Sequence, residues 1–227
     1  MGVITGGRGG WRIRTNVRTL CGVHFLEVSV PRAGQAGRGA RILRKKGVRQ
    51  VLFTASAPFD GDALRPWGIA SVSEVPFLRS CGGLLALSAL EHLHIPAEKG
   101  TVLLRGKGLS ADLCRTAQFL CPRVRHIALS FAVDKEPLAQ QLHDRYGMSV
   151  LWEENGVCGD VSLQFEAGMQ RDCPLELKLY APKPDLCGAV LTAPGLPLWE
   201  DVPELMQMAA LWECGALPLR SLQAEWT

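Results

Sequence analysis

No stretch of the 227 residues approaches the roughly 18 consecutive apolar positions that a membrane-spanning helix requires. The first ten residues hold five glycines and no apolar core of a secretory signal. The eight cysteines, at positions 21, 81, 114, 121, 158, 173, 187 and 214, form no C-x-x-C pair, which excludes a zinc knuckle. Equally absent are G-x-S-x-G, a Walker A loop and H-E-x-x-H. There is no internal repeat, and a net charge of +3 is too small to argue for nucleic acid as a partner. These absences point to a cytoplasmic protein without a metal centre, its thiols reduced and packed as small hydrophobes.

A hydrophobic fraction of 47% beside 21% charged residues belongs to a globular chain with a substantial core. The length suits one large α/β domain or two small ones. The charge is unevenly spread: Arg8 to Arg49 holds eleven basic residues and one acidic, Glu27. Such a lobe could meet an anionic ligand or nucleic acid; a solvated basic face is the plainer alternative.

Residues 1–10 read as a flexible glycine-rich leader and 11–74 as a small α/β lobe. Within that lobe residues 11–17 suit an edge strand, and 23–30 and 50–54 suit two further strands. The glycine-rich loop 31–39 carries Arg32 and Arg38 into a short basic helix at 40–46; the setting suits an anion, but a surface loop without a ligand is the plainer reading. Residues 75–94 form a long apolar helix within a bridging segment, 75–99. Gly82 and Gly83 inside it permit a kink or a close neighbour. His92 and His94 fall on different faces and hold no metal.

Residues 101–131 read as strand, glycine turn, helix, strand. Thr101 to Leu104 is a short apolar run of the kind buried in a parallel sheet. Gly106-Lys107-Gly108-Leu109-Ser110-Ala111 fits G-x-G-x-x-A, the turn that brings backbone amides and a helix N-terminus to a pyrophosphate. Leu113, Ala117 and Leu120 line one side of the helix and Pro122 stops it. A further helix over 136–146 and a third strand at 149–152 continue the alternation. Residues 161–165 and 175–180 then suggest an antiparallel pair, because no helix separates them. A strand at 189–192 follows. The last helix spans 203–214, with Asp201 as N-cap and Glu204 completing a capping box. Residues 217–226 close the sheet edge.

The fingerprint in this setting resembles Rossmann-type dinucleotide-binding domains, and the two-lobe layout is similar to shikimate and amino-acid dehydrogenases. The likeness covers residues 100–152 at motif level and the remainder by element order. It implies an α/β fold: a Rossmann-like, mostly parallel sheet with helices on both faces over 100–227, preceded by the smaller lobe. It also implies NAD or NADP as cofactor, held by Gly106, Lys107, Gly108, Leu109, Ser110, Ala111, Ser130 and Asp134. Two features depart from the pattern. Ser130 and Phe131 stand where a carboxylate usually holds the ribose hydroxyls, with Asp134 a few residues late. No Lys/Asp pair of such dehydrogenases is recognisable.

Gly106–Ser110, Ser130–Asp134 and Glu153–Asn155 should converge at the carboxyl end of the parallel strands. Glu153, Glu154 and Asn155 read as a solvated acidic turn or a ligand contact. His126, Trp199 and Trp212 read as packed residues, and Ser56 and Asp60 have no partner histidine. No residue is assigned a catalytic role. Three functions follow: a binding or regulatory module with a degenerate nucleotide site, an NAD(P)-dependent oxidoreductase, or a nucleic-acid-associated protein acting through its basic lobe. The expected partner is a nucleotide or small anion, with neither nucleic acid nor a membrane expected. A crevice filled by side chains favours the first reading and an open one the second.

Overall fold

The computed structural model describes residues 1–7, 12–131, 135–153, 156–168 and 173–226. Arg8 to Trp11, Asp134, Glu154 and Asn155 lie outside the described residues. The chain divides into two compact units, Met1–Glu74 with Ala193–Ser221, and Val75–Thr192 with Leu222–Thr227.

The first unit is built on a five-stranded sheet of order β2-β3-β1-β4-β5. Its strands are β1 (Gly2–Gly6), β2 (Arg14–Leu20), β3 (Val23–Val30), β4 (Gln50–Phe53) and β5 (Ala70–Ser71). β2 is antiparallel to β3 and every other pairing is parallel. The expected leader is therefore corrected: Gly2–Gly6 is the central strand, hydrogen-bonded to β3 and β4. Val3 and Ile4 are fully buried there, and this β-branched pair between two strands outweighs the glycines on either side. Helix α1 (Ala36–Lys45) buries Ala36, Gly39, Ala40 and Leu43 and leaves its arginines outward. Ile4, Val28, Val30, Leu43 and Val51 form the core beneath it.

In the second unit the apolar segment after residue 74 is two helices, α2 (Glu74–Ser80) and α3 (Gly82–His92), rather than one. Helix α4 (Ala111–Leu120) explains the glycines at this break. A Cβ on Gly83 would lie 2.3 Å from a Phe119 ring carbon, and one on Gly82 2.9 Å from Thr116 Oγ1. The glycines thus serve the close approach of α3 to α4. The sheet comprises β6 (Thr101–Arg105), β7 (His126–Ser130), β8 (Leu151–Trp152), β9 (Val161–Gln164) and β10 (Leu175–Lys178), with α5 (Lys135–Tyr146) linking β7 to β8. Its order is β10-β9-β6-β7-β8 and all its pairings are parallel. Counted from β6 this is 3-2-1-4-5, the doubly wound order with its switch point between β6 and β9. The fold is α/β and Rossmann-type.

β9 and β10 are parallel, in register from Val161 with Leu175 to Gln164 with Lys178, not the antiparallel pair that the short link suggested. Parallel neighbours usually need a helical crossover; here no described helix joins them. Residues 217–226 do not edge this sheet. Instead β11 (Ala189–Thr192) and β12 (Gln223–Trp226) make a separate antiparallel pair. The Trp226 indole donates to Ser88 Oγ at 3.0 Å and stacks on His92 at 4.3 Å.

Helix α6 (Glu204–Glu213) belongs to the first unit, not to the residues that follow position 100. Its N-cap is Pro203 and carries no side-chain bond. Asp201 is engaged elsewhere: both its oxygens accept from Arg18 at 3.0 Å. That guanidinium lies 4.1 Å above Trp199, which packs edge-on against Phe25. No described helix is long and apolar enough to cross a membrane.

Candidate functional site

Strand β6 is apolar through Leu104 and then ends on a cation. Arg105 is only 5% exposed. Register places it beside Ser130 on β7 and Gln164 on β9, at the carboxyl ends of three central strands. Its Nη2 donates to Glu153 Oε1 at 2.7 Å and its Nη1 to Glu176 Oε1 at 2.7 Å. The Gln164 side-chain amide donates to the same Glu176 oxygen. Glu153 is accordingly buried, 8% exposed, and is not the solvated turn expected of it. A guanidinium withdrawn from water needs its charge matched nearby, and Glu153 and Glu176 supply the match. From α2, Arg79 closes the neighbouring strand ends: Nε donates to the Leu179 carbonyl at 3.0 Å and Nη2 to that of Phe165.

The glycine turn lies directly beyond. The Gly106 amide donates to the Ser130 carbonyl at 3.2 Å, carrying the β6–β7 pairing one residue further and bringing these two positions together. The Lys107 amide donates to Glu166 Oε2 at 3.0 Å. A Cβ on Gly108 would meet nothing within 4 Å, so the turn is open on that side. Leu109 is exposed. Ser110 caps α4, its Oγ accepting from the Leu113 amide at 3.2 Å. Ala111 begins the helix, and Asp112 in its first turn pairs with Arg115. Of the eight residues implied as a cofactor site, Gly106 to Ala111 are contiguous and Ser130 adjoins them; Asp134 lies outside the described residues. Glu153 joins Arg105 and not the turn.

Between Arg105 and the segment after β8 the enclosed space is about 60 Å³, lined also by Leu103, Val157, Cys158 and Cys173. Pockets for cofactors run to roughly 300–1,000 Å³.

The other polar candidates are structural. Ser56 Oγ takes the Gly6 amide at 3.2 Å and lies 3.0 Å from Thr54 Oγ1, while Asp60 accepts from the Asp62 amide at 3.1 Å. Burial pushes the Cys81 thiol up to about 12, so it stays protonated and unreactive. No group of three metal-ligating side chains occurs among the described residues. The sequence reading did not single out Arg105, Gln164, Glu166 or Glu176. The one local signal was an arginine ending an apolar strand before a glycine turn, since a charge in a buried strand implies a partner.

No family model matches the chain, and no curated protein does. Solved structures similar to it include L-tryptophan dehydrogenase from Nostoc punctiforme, at 13% identity and a TM-score of 0.33, covering 63% of this chain and 44% of that one. D-lactate dehydrogenase from Escherichia coli is 14% identical with a TM-score of 0.30, covering 58% and 48%. Shikimate dehydrogenase 1 from Peptoclostridium difficile is 12% identical with a TM-score of 0.28, covering 64% and 57%. The chain spans about half the length of these structures. The fold assignment rests on the strand order.

Proposed function

We propose that the chain is a binding or regulatory module on a Rossmann-type scaffold, its nucleotide-type turn satisfied by its own carboxylate. The observation that carries this reading is the bond from the Lys107 amide to Glu166. In a dinucleotide-binding domain the amides of this turn face the pyrophosphate. A phosphate brought to Lys107 would meet Glu166 first, and like charges about 4 Å apart repel by roughly 1–4 kcal/mol near a protein surface. Ser130 offers no carboxylate to the ribose hydroxyls, and the crevice at the strand ends holds Arg105, Glu153, Gln164 and Glu176. These residues do not fit a dinucleotide as they stand, and we derive no hydride-transfer step.

A second reading, an NAD(P)-dependent oxidoreductase, is favoured by the open side of Gly108, where a ligand could approach the backbone. A thermal-shift panel with NAD, NADP, their reduced forms, ATP and S-adenosylmethionine separates the two. The expected result is no shift for the wild type with any of them. Glu166→Gln, which removes the competing charge, is the variant in which a shift should first emerge. A wild-type shift equivalent to about 2–4 kcal/mol, as ligand far above its Kd produces, and lost in Gly108→Asp, would overturn the first reading.

A further inference from the structure

The first unit carries a concavity of about 550 Å³ of its own. Arg12 and Ile13, ahead of β2, form one wall; Arg38, Arg41, Ile42 and Lys45 of α1 form the other. All four cations are exposed. Arg38, Arg41 and Lys45 stand at i, i+3 and i+7, so they run along one face of the helix over about 10 Å. No described carboxylate lines the groove, and no described ion pair engages any of the four. Arg41 lies 5.8 Å from the Trp67 ring.

A solvated basic face would spread its charges apart. Here cations from two separate elements turn into one concavity, an arrangement that opposes itself unless an anion lies between them. A single phosphate would engage one or two of these side chains. Three of them along about 10 Å of α1, with Arg12 in the same groove, fit phosphates in series, while Ile13 and Ile42 offer apolar surface to whatever the phosphates carry. We propose that this groove binds a chain of phosphates, as in the backbone of a nucleic-acid strand.

The test is fluorescence anisotropy of the full chain with a labelled oligothymidylate of about 12 nucleotides, a homopolymer with no sequence to read. Binding should weaken between about 50 and 200 mM salt, with a log–log slope near −3 for four cations at about 0.7 each. Arg38→Glu with Arg41→Glu should weaken binding at least about 20-fold and reduce the slope by about 1.5. The control is Arg44→Glu with Arg49→Glu, an identical change of net charge at exposed positions that do not line the groove. It should stay within about threefold of the wild type, since screening confines an exposed charge to its surroundings. Displacement of the strand by inorganic tripolyphosphate at equal phosphate concentration would identify the phosphates as those of a free polyphosphate. Displacement only by unlabelled oligonucleotide would identify them as a nucleic-acid backbone. Equal weakening by the two double variants, no binding by the wild type at low salt, or binding to phosphatidylserine vesicles but not to the strand would overturn the proposal.

Discussion

Each unit gathers cations at one place, and the two places treat them in opposite ways. In the second unit the cation at the heart of the sheet is closed in by its own chain: Arg105 meets Glu153 and Glu176, and Arg79 meets two strand-end carbonyls. Even the Lys107 amide, the donor a phosphate would seek, has a carboxylate on it. In the first unit Arg12, Arg38, Arg41 and Lys45 turn into a groove that no described carboxylate lines. At its strand ends the second unit has matched its charge internally and leaves little there to offer an anion. The other keeps charge unmatched, and unmatched charge gathered in a concavity is what an external ligand completes. A Rossmann-type order therefore does not locate this protein's anion chemistry; the distribution of counter-charges does.

The comparison would break most visibly at Arg105. Replacing it with Met leaves the buried Glu153 and the partly buried Glu176 without their shared cation, a loss of about 3–5 kcal/mol. Urea unfolding should show the midpoint falling accordingly. The triple variant Arg105→Met, Glu153→Leu, Glu176→Leu should recover most of the loss, because it removes the uncompensated charges along with their partner. Arg105→Met alone within about 1 kcal/mol of the wild type would mean that water reaches the cluster and that the second unit has not closed its charge after all.

How much of this was legible in the sequence follows from the range of the interactions. Residues 101–131 could be read directly, since the apolar strand, the glycine turn and the helix stripe are each set by neighbours within a few positions. Gly2–Gly6 could not. Three β-branched residues between glycines become a central strand only because β3 and β4 arrive on either side. The direction of β10 was hidden for a related reason: it is fixed by pairing to β9, and the link between them carries no crossover signal. The Arg105 cluster joins residues 48 and 71 positions apart, so Glu153 looked like an acidic turn until its partner was in place. The basic groove was half legible. The density of arginine between Arg8 and Arg49 was plain in the sequence, but the convergence of Arg12 on α1 depends on the fold.

A smaller effect tests a matched arginine of the first unit's sheet, Arg18. Arg18 holds both oxygens of Asp201, and this bond keeps the carboxyl below its ordinary range against the opposing effect of partial burial. A carboxyl whose folded value is depressed contributes stability above its unfolded value near 3.9 and loses it as pH falls through the folded one. Asp201 is half exposed, so its share is at most about 1 kcal/mol. Asp201→Asn should thus melt a few degrees below the wild type at neutral pH, and the gap should close below about pH 4. A gap independent of pH would assign the loss to packing around Trp199 instead of charge.

The smallest effect has the opposite sign and is the sharpest. Arg38 sits in the first turn of α1, which holds no acidic residue. A cation there opposes the helix dipole, whose N-terminal end carries partial positive charge. It also lies beside the like charges of Arg41 and Lys45 on its own helix and shares the groove with Arg12. Arg38→Glu should therefore stabilise the protein, by about 0.3–1 kcal/mol at low salt. The gain should vanish near 1 M salt, where the Debye length falls to about 3 Å. Thermal melts of the two proteins at both salt concentrations would measure it. A stabilising loss of charge would mean that folding does not require the arginine, whereas the loss of Arg105 should destabilise the second unit. Cations that a fold needs are paired within it; a cation that the fold keeps at its own expense is held for something outside the chain.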